Sequence, residues 1–181
     1  EVPVTRDTEV LKQLRLQAQV QATASSVALQ KLQLKLDDTT MSGELSIADF
    51  AASALRFDLA LDQIDFDRYL PPPSKEAAAT TTKTKDSPPT PIPVEPLRAL
   101  NARGDLHIGT AKFAGLHLSK FHVGVNARNG DVRFTPTDAT LYGGDYRGVL
   151  SIDVTGAVPR LAIESHANNV DFAPLFKDMF D

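Results

Sequence analysis

The sequence predicts a mainly β protein: two repeated modules of antiparallel meander, accompanied by a few short helices. Three observations lead there. Apolar and polar residues alternate strictly over most of the chain, the same order of elements occurs twice around a proline-rich gap, and helix signals are scarce.

Alternation comes first. Leu14, Leu16, Ala18, Val20 and Ala22 point one way while Arg15, Gln17, Gln19 and Gln21 point the other, the period-two signature of a strand with one wet face. The pattern returns in Leu32-Leu34-Leu36, Leu45-Ile47, Leu55-Phe57-Leu59-Leu61, Leu106-Ile108, Phe121-Val123-Val125 and Leu150-Ile152-Val154. Its phase slips by one residue between Leu29 and Leu32 and again between Leu118 and Phe121, which predicts bulges that bend those strands. Asn129-Gly130 between alternating runs predicts a two-residue hairpin, and Gly143-Gly144 and Thr155-Gly156 mark further turns. About nine to eleven strands result.

The repeat aligns Glu9 to Leu14 with Glu95 to Leu100, in register through Val20 over Leu106. Val27 to Leu34 matches Leu116 to Val123. Thr40-Met41 and Leu45-Ser46-Ile47 match Thr140-Leu141 and Leu150-Ser151-Ile152, and Ile64-Asp65-Phe66 answers Val170-Asp171-Phe172. Residues 1–70 are thus expected to form a first module, with a short helix over 8–14 capped by Thr8. Residues 96–181 form a second. It opens with Pro96 at a first helical position and ends in a short helix over 174–180, with Phe172, Leu175, Phe176 and Met179 as its apolar stripe. Between them, 71–95 is rich in Pro, Thr and Lys; counting Pro96, it holds 8 of the chain's 12 prolines. With almost nothing to bury it is expected to be a disordered linker, about 25–30 Å between its ends as a flexible coil.

At 181 residues, 42% of them apolar, the chain has ample material for a packed interior. A net charge of −4 gives no electrostatic reason to expect nucleic acid as a partner. Cysteine is absent, so neither disulfides nor thiolate metal sites arise, which is compatible with cytosol or an oxidising periplasm. No run approaches the roughly 18 apolar residues that span a bilayer. The opening at Glu1-Val2-Pro3-Val4 and the close at Phe180-Asp181 read as those of an excised piece of a longer protein.

Chemistry is hard to find. His117 and His122 are five apart and reach one face only through the phase slip, and no carboxylate is spaced to complete a metal triad. His107 and His166 fall in the polar phase of separate strands. Asp58, Asp62, Asp65 and Asp67 lack the turn of a calcium loop and read as a solvated strand face. Nucleophile elbows, phosphate loops, dinucleotide fingerprints and zinc-protease motifs are all missing. The chain is therefore expected to be no enzyme, with no catalytic residue, metal or cofactor. What remains is an apolar face too large to stay bare in water. It can fold on itself as a closed β-sandwich, close as a barrel, or stay open beneath an apolar ligand or partner; the repeat favours open growth.

Several of these segments resemble the AsmA family of bacterial envelope proteins. They are Leu34 to Gly43, Leu55 to Pro71 with its Leu61-Asp62-Gln63-Ile64-Asp65-Phe66-Asp67-Arg68-Tyr69-Leu70-Pro71 phrase, the proline-rich insert, Pro96 to Leu100, and Ala139 to Gly144. The resemblance covers nearly the whole chain. It implies a periplasmic protein anchored in the inner membrane of a Gram-negative bacterium through a part absent here, with a curved, open β-groove like those of chorein-type lipid-transfer proteins. It also implies phospholipid or another acyl-chain lipid as partner, and a role in phospholipid transport and outer-membrane assembly. The family offers no catalytic motif. From alternation, the groove lining is expected at Leu32, Leu34, Leu36, Leu45, Ile47, Phe57, Leu59, Leu106, Ile108, Phe121, Val123, Val125, Leu150 and Ile152. The alternative is a non-enzymatic scaffold that recruits envelope-assembly proteins through sheet edges or the proline-rich segment.

Overall fold

A computed structural model describes residues 5–70 and 94–180. Nine strands form one open sheet in chain order: β1 Leu14–Ala22, β2 Val27–Leu36, β3 Thr39–Ile47, β4 Ala54–Asp65, β5 Asn101–Phe113, β6 Leu116–Arg128, β7 Asp131–Leu141, β8 Gly144–Asp153 and β9 Arg160–Asn168. Three short helices accompany it: α1 Phe66–Tyr69, α2 Val94–Ala99 and α3 Phe172–Phe180. The sheet does not close on itself, and no second sheet packs on it among the described residues. The fold is therefore the open sheet, consistent with a curved β-groove, and the closed sandwich is set aside.

All neighbours are antiparallel except β4 and β5, which run parallel from Ala54↔Asn101 to Asp65↔Lys112. A parallel pair needs a connection that returns to the far end of the sheet, and residues 70–94 supply that length. The proline-rich segment itself, 71–93, lies outside the described residues; residues 94 and 95, expected in the linker, open α2.

That one parallel step corrects the internal alignment. Because β5 runs with β4, it runs opposite to β1, and no rotation superimposes two units that share strand order and apolar face but reverse strand direction. The unit that matches β1–β4–α1 is β6–β9–α3, and β5 is an added strand. Three details agree. Gly43-Glu44-Leu45-Ser46-Ile47 of β3 matches Gly148-Val149-Leu150-Ser151-Ile152 of β8. The phase break between Leu29 and Leu32 of β2 matches the one between Phe134 and Thr137 of β7. Asp65 accepts from the Asp67 amide to start α1, as Asp171 accepts from the Ala173 amide to start α3, each at 3.0 Å. The similarity of 9–34 to 95–123 therefore reflects shared strand patterning rather than equivalent positions.

Both expected bulges are present. Lys31 and Lys120 take φ of 50° and 51°, which turns the chain so that the apolar phase resumes one residue late. Asn129-Gly130, with φ of 51° and 85°, closes β6–β7 as a two-residue turn of the primed kind. The next turn is Tyr142-Gly143, with φ of 44° and 79°, and Gly144 already belongs to β8.

Residues 8–14 are not a helix. Leu11 has φ of 61°, and the amides of Leu11, Lys12 and Gln13 point at the Asp37 carboxylate, at 2.7, 3.2 and 3.3 Å. A side chain from the β2–β3 turn thus takes the donors that a helix would use internally. Pro96 sits third in α2 rather than first, still within the turn whose amides have no intrahelical acceptor. The closing helix starts at Phe172, two residues early, because Asp171 caps it.

Candidate functional site

Paired residues on adjacent strands share a face, so the register assigns every strand residue to one side. Ala22, Val27, Ile47, Leu55, Ala102, Ala127, Val132, Ile152 and Leu161 form one unbroken row across all nine strands. The next row runs Val20, Leu29, Leu45, Phe57, Gly104, Val125, Phe134, Leu150, Ile163. Leu32, Leu59, Leu106 and Val123 belong to a third, Leu34, Ile108 and Phe121 to a fourth, and Leu36 stands beside Leu14 at the end. All fourteen residues expected from alternation therefore lie on a single face. Leu32, Ile108 and Val123 are buried and the other eleven are half-buried.

Gly104 has a local role in this surface. A β-carbon there would lie 2.6 Å from Cγ of Phe57, so the glycine lets the aromatic ring lie flat across its neighbour.

Cover over this face is unequal. Leu97 and Leu100, from α2 and the residue after it, pack on Ala102, Ala127 and Val132 at the end where β5 begins. Toward the outer strands nothing described lies over the face: Leu14, Leu16 and Val20 of β1 are 58–64% exposed, and Leu161 and Ile163 of β9 are 56% and 65%. At the far end, around the β5–β6 hairpin, Phe66, Leu106, Ile108, Ala111, Phe113, Leu118 and Phe121 line a half-open cavity of about 400 Å³ with no polar atom exposed in its wall. Four of these, Phe66, Ala111, Phe113 and Leu118, were not among the expected lining. A phase break in β5 between Ile108 and Ala111 accompanies the one in β6, and Gly109-Thr110 carries no apolar marker that would announce it.

The opposite face is polar. Gln17 pairs with Gln33, Glu44 with Asp58, Arg103 with Asn126, and Asp145 with Asn168. The break in β6 brings His117 and His122 onto this face together. His122 stacks on His107, ring centroids 4.3 Å apart, and its Nε2 lies 3.0 Å from Asp105 Oδ1. Among the described residues, no group of three or more His, Asp or Glu side chains is arranged to hold a metal ion.

The aspartates of the Leu61–Pro71 phrase serve structure. Asp62 accepts from the Thr40 and Gln63 amides, and Asp67 from Ala114 and Gly115 at the hairpin tip. The Gly115 and Ala114 hydrogen bonds hold the Asp67 carboxyl below its ordinary range, against a partial burial that pushes it up. Arg68 clamps Asp7 and Asp38 at 2.7 and 2.8 Å, and these two bonds keep its guanidinium firmly protonated.

An open sheet with one apolar face, built from repeated meanders, defines a β-groove class of protein. The particular family is shown by comparison: the chain matches the AsmA family over residues 1–181, its whole length, and belongs to that family. No curated protein and no solved structure matches it. AsmA proteins are bacterial envelope proteins, and among the described residues no helix is long and apolar enough to cross a membrane.

Proposed function

We propose that this chain binds the hydrocarbon chains of phospholipids along the apolar face of its sheet and acts, without catalysis, in phospholipid transport and outer-membrane assembly. In this reading it lies in the periplasm of a Gram-negative bacterium, tied to the inner membrane through another part of its parent protein. One observation carries the proposal: four aligned rows of aliphatic and aromatic side chains that, among the described residues, have no covering layer over most of their extent. Such a surface favours an apolar occupant at about 25 cal/mol per Å² covered, and hydrocarbon needs no directional contact to fill it. Family membership supports the envelope setting. Envelope-assembly proteins, as further partners, would meet the sheet along β1 and β9, whose outer edges pair with nothing among the described residues.

Native mass spectrometry after gentle purification tests the binding. Phospholipid adducts on the chain are expected, and Leu34→Glu should remove them while circular dichroism retains the β signature. A bare mass throughout overturns the proposal.

A further inference from the structure

The apolar face differs at its two ends. Where β5 begins it is plugged: Leu97 and Leu100 sit on Ala102, Ala127 and Val132, and Arg98 ties α2 across the sheet. Its Nε donates to the Val154 carbonyl and its Nη2 to the Gly156 carbonyl, each at 2.8 Å. At the hairpin end the face instead sinks into the 400 Å³ cavity, in the size range of small-molecule pockets. Phe66 and Phe113 form one wall, edge to face at 6.3 Å, and Asp67 pins the hairpin tip behind them through the Ala114 and Gly115 amides. Ala111, the smallest side chain of the wall, is buried beside Leu118, its partner on β6, and leaves the cavity room there.

We propose that this cavity is the seat for the end of a single unbranched hydrocarbon chain, and that α2 makes the opposite end of the face blind. The ligand is then held end-on rather than threaded through. The wall has neither donor nor acceptor, so an inserted polypeptide backbone would lose its hydrogen bonds, and a head group its solvation. A methylene chain loses neither. The inference rests on the lipid-binding reading above and adds where the chain tip lies and which way it points.

The test uses the intact chain and vesicles of phosphatidylethanolamine with phosphatidylglycerol, doped with a phospholipid carrying a diazirine either at the end of one acyl chain or in the head group. After irradiation, labelled positions are mapped by peptide mass spectrometry. Tail-end label should concentrate on Phe66, Phe113 and Leu118, and head-group label should avoid them. Ala111→Phe, which fills the cavity, should lower tail-end labelling at Phe113 about tenfold, the effect of displacing roughly two methylenes. Ala111→Leu, a milder filling, should lower it less, with thermal melts confirming that both variants fold. Tail-end label spread over Leu16 and Ile163 but absent from the cavity overturns this inference and leaves lipid binding standing. An absence of label everywhere overturns both.

Discussion

The two matching units, β1–β4–α1 and β6–β9–α3, fasten their helices with the same contact written in opposite residues. In the first, Tyr69 of α1 donates to Asp37 in the turn after β2, at 3.3 Å. In the second, Tyr142 in the turn after β7 donates to Asp178 of α3, at 2.6 Å. Asp37 and Tyr142 occupy the same place, and both have positive φ. The comparison teaches that the units share a geometry of closure, while the side chain at the turn is free to be donor or acceptor. They differ in what else that residue does: Asp37 gathers three amides of the segment before β1, whereas Tyr142 accepts from the His117 amide at 3.2 Å. They differ also in cover, since α2 lies on the second unit and the added strand β5.

The largest effect should break the comparison at that cover. Val132, with no exposed surface, and Val20, at 63%, lie on the same face. Val132→Asp should cost roughly 3–5 kcal/mol for an unpaired buried charge, and Val20→Asp no more than about 0.5 kcal/mol. Thermal denaturation followed by circular dichroism reads both, and equal losses would mean that α2 seals nothing.

Next in size is Tyr142→Phe, which removes two hydrogen bonds and should cost about 1–2 kcal/mol, against about 1 kcal/mol for Tyr69→Phe. Chemical denaturation midpoints measure the pair. Asp178→Asn should reproduce only the helix-side part, visible as faster amide exchange confined to α3.

Arg98→Ala should cost about 1 kcal/mol, since its hydrogen bonds are partly solvated. Its signature is local: amide exchange in 94–100 rises while β1–β4 is unchanged.

The smallest effect is in pH. The Leu11 amide, with those of Gln13 and Lys12 and the Tyr69 hydroxyl, lowers the Asp37 carboxyl pKa in the folded state, outweighing the desolvation that raises it. A depressed folded pKa means that this stabilisation is present above the unfolded carboxylate value of about 4 and fades as pH falls through the folded one. Asp37→Asn should therefore lower Tm at pH 7 and matter progressively less in acid, with a shallower acid slope than the parent chain. Asp67 shifts the same way, chiefly through the Gly115 amide, so its loss adds to the acid sensitivity of the hairpin end.

Much of the architecture could be read from residues alone. A period of two leaves each side chain only two choices, and a run such as Leu32-Gln33-Leu34-Lys35-Leu36 makes the choice plain; hence all fourteen expected positions share a face. The Lys31 and Lys120 breaks showed because apolar residues flank them, and Asn129-Gly130 showed because few other pairs accept two positive φ values. The break after Ile108 was hidden by Gly109-Thr110, and with it Ala111 and Phe113 of the cavity wall. The helix expected over 8–14 failed because its decisive partner, Asp37, lies some two dozen residues away.

Local chemistry thus determined the strands, the turns and which side of the sheet is apolar, since these follow from the stereochemistry of neighbouring residues. Strand direction is a different matter. Nothing in residues 95–113 says whether β5 runs with β4 or against it, and that choice decides which units are equivalent, where α2 is seated and which end of the apolar face is left hollow. These depend on contacts between residues distant in the chain, and only the assembled sheet brings them together.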